Sequence, residues 1–397
     1  MIHLPHLMRN IFCRAVNKLY FYRKISGEKK NMYLYNNQNW PIFEWNSEKL
    51  LPLLAYVRNR QGKLIGKMGA LGFELQNEAN LEILTIEILK STEIEGEFLD
   101  REQVRSSIAR RLGLDISGLV YSERNVDGIV DLMLDATKKY DKELTKERLF
   151  SWHASLFPAG QSGMYKIITG NWRDDSTGPM QVVSGALGKE KVHYQAPPAN
   201  QIENEMRIFF DWFNLEQNVD PVLKAAIAHL WFVTLHPFED GNGRISRALS
   251  DMLLARSDEQ SYRFYSMSTQ IRKERNSYYD ILEKTQKGSL DITNWLEWFL
   301  NSLLHSIESS EKLLEKVIFK HEFWLQNSKV SINDRQRKIL NMLMDDFEGV
   351  LNTTKWAKIG KCSQDTALRD IQDLIEKGIL AKSEQGGRST NYELKTN

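Results

Sequence analysis

Two apolar runs of helical length, PVLKAAIAHLWFVTLH (221–236) and RISRALSDMLLARS (244–257), are separated only by PFEDGNG. Both read as buried helices, the first ending near His236 and the second beginning near Asn242. Pro221 suits the first turn of the first helix, where its missing N–H costs nothing. Between the runs the chain must bend tightly, and Gly241 and Gly243 make the bend sterically accessible because glycine tolerates positive φ. The stretch HPFEDGNGRISR (236–247) therefore sits at one end of a packed helix pair. It gathers a histidine, two acids, two glycines around an asparagine, and two arginines.

Helical patterning dominates the rest of the chain. In NEANLEILTIEILKS, Leu81, Leu84, Ile88 and Leu89 share a face, and helical style continues through 115–157. The expected fold class is mainly α-helical. Two short β-compatible runs, Met180–Val183 and Lys191–Tyr194, predict one hairpin, closed by the prolines at 197 and 198. A long helical segment (293–324) leads to the polar break QNSKVSIND. After it come three helix-like stretches and GGRSTNYEL, the order of a winged helix-turn-helix. The chain divides into an extension (1–31), an N-terminal helical domain (32–113), a core (114–310), a linker helix (311–330) and a C-terminal winged-helix-like unit (331–397). At 397 residues, several domains are expected.

Composition narrows the function classes. With 42% hydrophobic and 26% charged residues, the chain matches an ordinary globular protein. A net charge of +1 argues against a surface wholly adapted to nucleic acid. Cys13 and Cys362 are the only cysteines, which excludes a disulfide framework or a cysteine-rich zinc site and suits a reducing, cytoplasmic compartment. No apolar run is long enough to span a bilayer, and no membrane partner is expected. Arg9, Arg14 and Lys18 interrupt any signal-peptide core, and Met32 marks an alternative start. Neither an HExxH pair nor a GxxxxGK[ST] loop is present, so a metallohydrolase and a P-loop enzyme are disfavoured.

The loop between the helix pair has the parts for phosphorus chemistry. Backbone N–H groups of Gly241, Asn242 and Gly243 lie at a helix N-terminus, where unpaired donors and the dipole favour an anion. Arg244 and Arg247 are three apart, share a face and supply forked donors for further phosphate oxygens. Asp240 is a hard carboxylate suited to a magnesium ion that bridges phosphates. His236 can accept a proton near neutral pH.

Residues 236–247 fit His-x-Phe-x-Asp/Glu-Gly-Asn-Gly-Arg-x-x-Arg at every fixed position, and the chain thereby resembles the Fic family. The resemblance implies transfer of AMP from ATP to a serine, threonine or tyrosine hydroxyl of a target protein, a nucleotidyltransferase activity. It makes His236 the general base and Asp240 the Mg2+ ligand. Gly241, Asn242, Gly243 and Arg244 would hold the α- and β-phosphates, Arg247 the γ-phosphate, and Phe238 would anchor the loop. The hairpin at 180–194 resembles the family's flap, which aligns a target segment by strand addition. WPIFEW and the helices up to Arg111 resemble an N-terminal domain of bacterial members, and residues 276–300 resemble the end of the core.

The stretch STEIEG (91–96) resembles the family's inhibitory motif, Ser/Thr-x-x-x-Glu-Gly/Asn, with Ser91, Glu95 and Gly96 at the fixed positions. The resemblance implies that Glu95 pairs with Arg247, removing the γ-phosphate's partner and autoinhibiting the enzyme. Two further readings stay open: a nucleotide-sensing transcriptional regulator, and removal of AMP at the same site with Glu95 positioning water. Residues 331–397 carry 11 Lys/Arg and 10 Asp/Glu, a weak phosphate-binding surface. Arg369, Lys358, Lys361 and Arg388 could contact DNA, but protein contacts or a homodimer suit that balance better. Target identity and base specificity have no motif.

Overall fold

The computed structural model of the chain describes residues 33–114, 118–176, 178–184, 191–215, 218–344, 347, 349–383 and 390–395. The expected extension (1–31) with Cys13, the alternative start Met32, the tip of the expected hairpin (185–190) and Arg388 lie outside the described residues.

A 3-10 turn at Leu34–Asn36 precedes helices α1 (Ser47–Gly69), α2 (Phe73–Ile94), α3 (Arg101–Leu112), α4 (Arg124–Lys138) and α5 (Lys146–Leu156). Two antiparallel hairpins follow: β1 (Gln161–Ser162) with β2 (Tyr165–Lys166), and β3 (Gln181–Ser184) with β4 (Lys191–Gln195). Next come α6 (Ala199–Asn214), α7 (Pro221–Leu235), α8 (Asn242–Asp258), α9 (Met267–Lys273), α10 (Arg275–Gln286) and α11 (Thr293–Gln326). Helices α12 (Asp334–Met344), α13 (Thr353–Gly360) and α14 (Gln364–Glu376) and strands β5 (Leu380–Lys382) and β6 (Tyr392–Leu394) complete the chain. The mainly α-helical class read from the periodicity is the observed one. The small β1–β2 hairpin has strands of two residues, too short for a pattern, and the sequence did not announce it.

Side-chain caps start three of these helices. Asn46 accepts from the Lys49 N–H at 2.9 Å, Asp100 from Gln103 at 2.9 Å and Asp220 from Val222 at 2.8 Å. Each side chain satisfies one of the donors that a helix start leaves unpaired. Helix α7 is buried at every position after Pro221, so it is the axis of the main core rather than a surface helix. The indole N–H of Trp295 on α11 donates to the Ala226 carbonyl of α7 at 2.8 Å, and Trp231 stands edge-on to Trp40 and Phe209. Between α7 and α8 the backbone turns through two left-handed residues, His236 at φ 48 and Gly241 at φ 81.

A second, smaller core holds Ile339, Leu340, Trp356, Ala367, Ile371, Leu374, Leu380 and Tyr392. Helix α11 runs unbroken from Thr293 to Gln326, with no interruption at 310/311, and its last turns lay Phe323 and Trp324 against this second core. Among the described residues, no helix is long and apolar enough to cross a membrane.

Candidate active site

The α7–α8 link is held by its own side chains. Asn242 accepts from the Phe238 N–H at 3.0 Å and donates to the Phe238 carbonyl at 2.8 Å, closing the loop on itself. Its side chain is committed to the loop, so Asn242 can offer an anion only its backbone N–H. Phe238 is fully buried and stacks on the His153 ring at a centroid distance of 4.1 Å. His153 accepts from the Gly170 N–H at 3.0 Å, which leaves Nε2–H to donate to the Asp240 carbonyl at 3.2 Å. Burial pushes its pKa down to about 4, so it is a neutral strut.

His236 caps α7, with Nδ1 at 3.3 Å from the Val233 carbonyl. A carbonyl only accepts, so Nδ1 carries the proton and Nε2 presents a lone pair. Burial lowers the imidazole to about 4; the Val233 contact opposes the shift and the Arg173 charge adds to it. Arg173, buried beneath the loop, donates from Nε to the His236 carbonyl at 2.7 Å and from a terminal nitrogen to the Pro197 carbonyl at 2.6 Å. Arg173 was not found by sequence reading. The only signal was a charged residue in the polar stretch NWRDDSTG ahead of two short β-compatible runs, which looks like an exposed loop.

At the start of α8, two glycines make room for different things. Gly241 combines positive φ with a wall: a Cβ there would lie 2.9 Å from the Phe157 ring. A Cβ on Gly243 would lie 2.1 Å from Glu95 Oε1. The Glu95 carboxylate therefore rests on the N-terminus of α8, where partial positive charge and free N–H groups attract an anion. Glu95 is the C-cap of α2, and Gly96 leaves that helix at φ 88.

Arg247 ties this arrangement together. It pairs with Glu95 at 2.8 Å, donates from Nε to Ser91 Oγ at 2.9 Å and reaches the Ser91 carbonyl at 2.8 Å. Ser91 and Glu95 of the STEIEG stretch thus meet the second arginine at one point, and Gly96 only turns the chain away from it. Arg244 lies over the Phe157 ring at 5.1 Å and pairs with Glu97 at 2.8 Å. Glu97 went unnoticed in the sequence because it lies just outside the short motif. The Arg244 Nε is buried and has no hydrogen-bond partner among the described residues. A buried charged donor left open is costly unless a ligand completes it.

Asp240 accepts from Ser162 Oγ of β1 and from the Gly241 N–H. Its side chain is 41% exposed, and among the described residues no three His, Cys, Asp or Glu side chains gather to hold a metal. One accessible carboxylate beside arginines fits a magnesium ion that takes most of its ligands from water and phosphate, not an all-protein cage.

The α7–α8 link thus brings together a neutral histidine with a free lone pair, a carboxylate seated at a helix N-terminus and two buried guanidiniums. Residues 143–254 match the model of the Fic/DOC family, and residues 33–114 match a domain of unknown function, DUF4172. The chain is similar to the protein adenylyltransferase Fic of Drosophila yakuba, 25% identical over 299 residues, covering 72% of this chain and 53% of that one. It is also similar to the protein adenylyltransferase Fic of Culex quinquefasciatus, 29% identical over 209 residues, covering 51% and 37% respectively. The chain thus spans about half the length, or less, of these curated relatives. A Fic family protein of Desulfovibrio desulfuricans G20 aligns at TM-score 0.48 and 19% identity, covering 87% of this chain and 97% of that one. A Fic-domain-containing signaling protein of Bacteroides thetaiotaomicron aligns at 0.49 and 21%, covering 66% and 96%.

Proposed function

We propose that the chain is a protein adenylyltransferase, moving AMP from ATP to a serine, threonine or tyrosine hydroxyl of a target protein, and that Glu95 holds it idle. The observation that carries this reading is the seat of the Glu95 carboxylate, over Gly243 and against Arg247. An anion already occupies the place where a triphosphate's terminal group gains both a helix dipole and a guanidinium. With Glu95 withdrawn, Arg247 takes the γ-phosphate, while Arg244 and the N–H groups of Asn242 and Gly243 hold the α- and β-phosphates. The target hydroxyl gives its proton to His236 Nε2 as its oxygen bonds the α-phosphorus. The bond from that phosphorus to the β-phosphate oxygen breaks, and pyrophosphate leaves. At neutral pH His236 is unprotonated, and the arriving phosphate charge raises its basicity toward the working range. A magnesium ion on Asp240 neutralises phosphate charge when bound.

The β3–β4 hairpin, paired from Gln181 to Gln195, supports a flap that receives a target strand at its edge. Residues 331–397 suit a winged-helix unit used for protein contacts. The exposed face of α14 sets Leu368 between Asp365 and Arg369, while Asp370 turns inward to pair with Arg335 at 2.5 Å. Absence of salt-sensitive duplex binding by the whole chain is expected, and such binding would overturn that assignment.

ATP labelled at the α-phosphate tests the main reading with wild type, Glu95→Gly and Glu95→Gly/His236→Ala. Label on protein should appear with Glu95→Gly and vanish in the double variant. Nucleotide binding without transfer in all three would favour the nucleotide-sensing regulator. Release of AMP from a pre-modified target, lost with Glu95→Gly, would favour the reverse reaction.

A further inference from the structure

The β1–β2 hairpin buries almost nothing, yet it reaches the α7–α8 link. From Gln161 to Lys166 every residue but Ser162 is exposed, Met164 at 92% and Tyr165 at 76%. A lone two-stranded hairpin is marginally stable at best in water, so contacts beyond its own ladder must hold it. The chain just after it supplies them. The Ile168 N–H donates to Glu239 Oε2 at 2.7 Å, the Gly170 N–H to His153 Nδ1 at 3.0 Å and the Arg173 N–H to the Pro237 carbonyl at 3.0 Å. These contacts fasten residues 168–173 along the link without Ser162. The half-buried Ser162 hydroxyl is not needed as a fastener, and it donates to Asp240 Oδ2.

That contact acts on a carboxylate whose main chain is already fixed. The Asp240 carbonyl accepts from His153 Nε2, which leaves the side chain two free rotations. The Gly241 N–H holds Oδ1 and Ser162 holds Oδ2, so both rotations are stopped. Each carboxylate oxygen has two lone pairs and each of these bonds uses one, so a lone pair on each oxygen stays open. At 41% exposure Asp240 has water available as a partner, so the serine is not there to offset a burial penalty. A hydroxyl also leaves the negative charge in place, which a lysine or arginine at 162 would cancel. The Arg244 guanidinium stands 4.0 Å from Oδ1 and is itself paired with Glu97 at 2.8 Å. Fixed direction and retained charge are what a hard divalent cation with a single protein carboxylate requires.

We propose that Ser162 is a positioning residue for the transfer, holding the Asp240 carboxylate in the orientation that takes a divalent cation. The proposal rests on the reading of Asp240 as the magnesium ligand. Ser162 acts through Asp240 and touches no reacting atom. Its loss frees the carboxylate to rotate, and the cation then has to order its own ligand on arrival.

The test reads the metal rather than the reaction, with Mn2+ as the paramagnetic stand-in for magnesium. The full chain with Glu95→Gly, in excess over the non-hydrolysable α,β-methylene analogue of ATP, is titrated with Mn2+ and followed by electron paramagnetic resonance. Ser162→Ala should weaken Mn2+ binding roughly 10-fold, the lower end of what a hydrogen-bond partner behind a ligand is worth to a metal. Ser162→Thr, which keeps the hydroxyl, should restore it. Asp240→Ala should weaken binding at least as much, and adding Ser162→Ala to it should change nothing further. Unmoved Mn2+ affinity in Ser162→Ala, a threonine variant as weak as the alanine, or additive losses in the double variant would each overturn the proposal. Asp240→Ala without effect would sink the proposal together with the metal reading of Asp240. The expected Mn2+ losses alongside no AMP transfer would leave the proposal standing and overturn the transferase reading alone.

Discussion

Replacing Glu95 by alanine should convert a weak ATP site into a strong one, and the geometry sets the size of the change. At 2.8 Å and an effective dielectric of about 20, two unit charges attract by about 6 kcal/mol. The Glu95 side chain is 30% exposed and would otherwise be hydrated, so the net worth falls to that of a charge-assisted hydrogen bond, about 1.5–3 kcal/mol. A γ-phosphate must displace this contact before it reaches Arg247. Removing the contact should therefore tighten binding of a non-hydrolysable ATP analogue by roughly 10- to 100-fold. Arg247 keeps both Ser91 contacts in the variant, so its guanidinium stays in place to receive the phosphate. Titration calorimetry with magnesium measures the change directly, and ADP, which lacks the γ-phosphate, is the control. Affinities equal within twofold, or equal tightening for ADP, would refute the argument that Glu95 competes with the terminal phosphate.

Glu97→Gln should also raise ATP affinity, but by no more than about fivefold, because the Glu97 side chain is 50% exposed and the pair is screened; a larger gain than Glu95→Ala, read in the same titration, would reverse the ranking of the two acids. Gly241→Ala should lower stability by about 1–3 kcal/mol in chemical denaturation, since it forces a side chain into positive φ against Phe157, and an unchanged midpoint would argue against the turn geometry. Acidification should destabilise the fold between about pH 6.5 and 4. Burial depresses His153 and His236 to about 4 and His229 to about 3, so the unfolded chain binds more protons across that window and stability is lost as pH falls. Melting temperatures that stay flat from pH 7 to 5 would contradict the burial of these rings. Arg173→Gln should lower the transfer rate and shift the pH–rate profile upward, because it removes a positive charge beside His236; a slower reaction with an unmoved profile would make Arg173 purely structural.

Much of the site was legible in the sequence because its parts are contiguous. His236, Phe238, Asp240, Gly241, Asn242, Gly243, Arg244 and Arg247 lie within twelve residues, and local geometry alone puts the glycines in the turn and both arginines on one helix face. The helices announce themselves by 3.6-residue spacing, and α7 and α8 begin at Pro221 and Asn242, where the residues suggest. Glu95 could be singled out only through a resemblance, since an acid at a helix end is otherwise unremarkable.

What local pattern cannot carry is the meeting of distant segments. Arg173 under His236, His153 behind Phe238, Ser162 on Asp240 and Glu97 on Arg244 are contacts between residues 63 to 147 positions apart. Each depends on how whole helices and a short hairpin pack around α7, and no periodicity records that. The sequence by itself determined the helical class, the turn and the chemistry of the loop, because propensity, steric freedom and charge act over a few residues. Only the tertiary structure decided which carboxylate sits in the anion seat and which histidines are neutral, because burial and pairing are properties of the packed core.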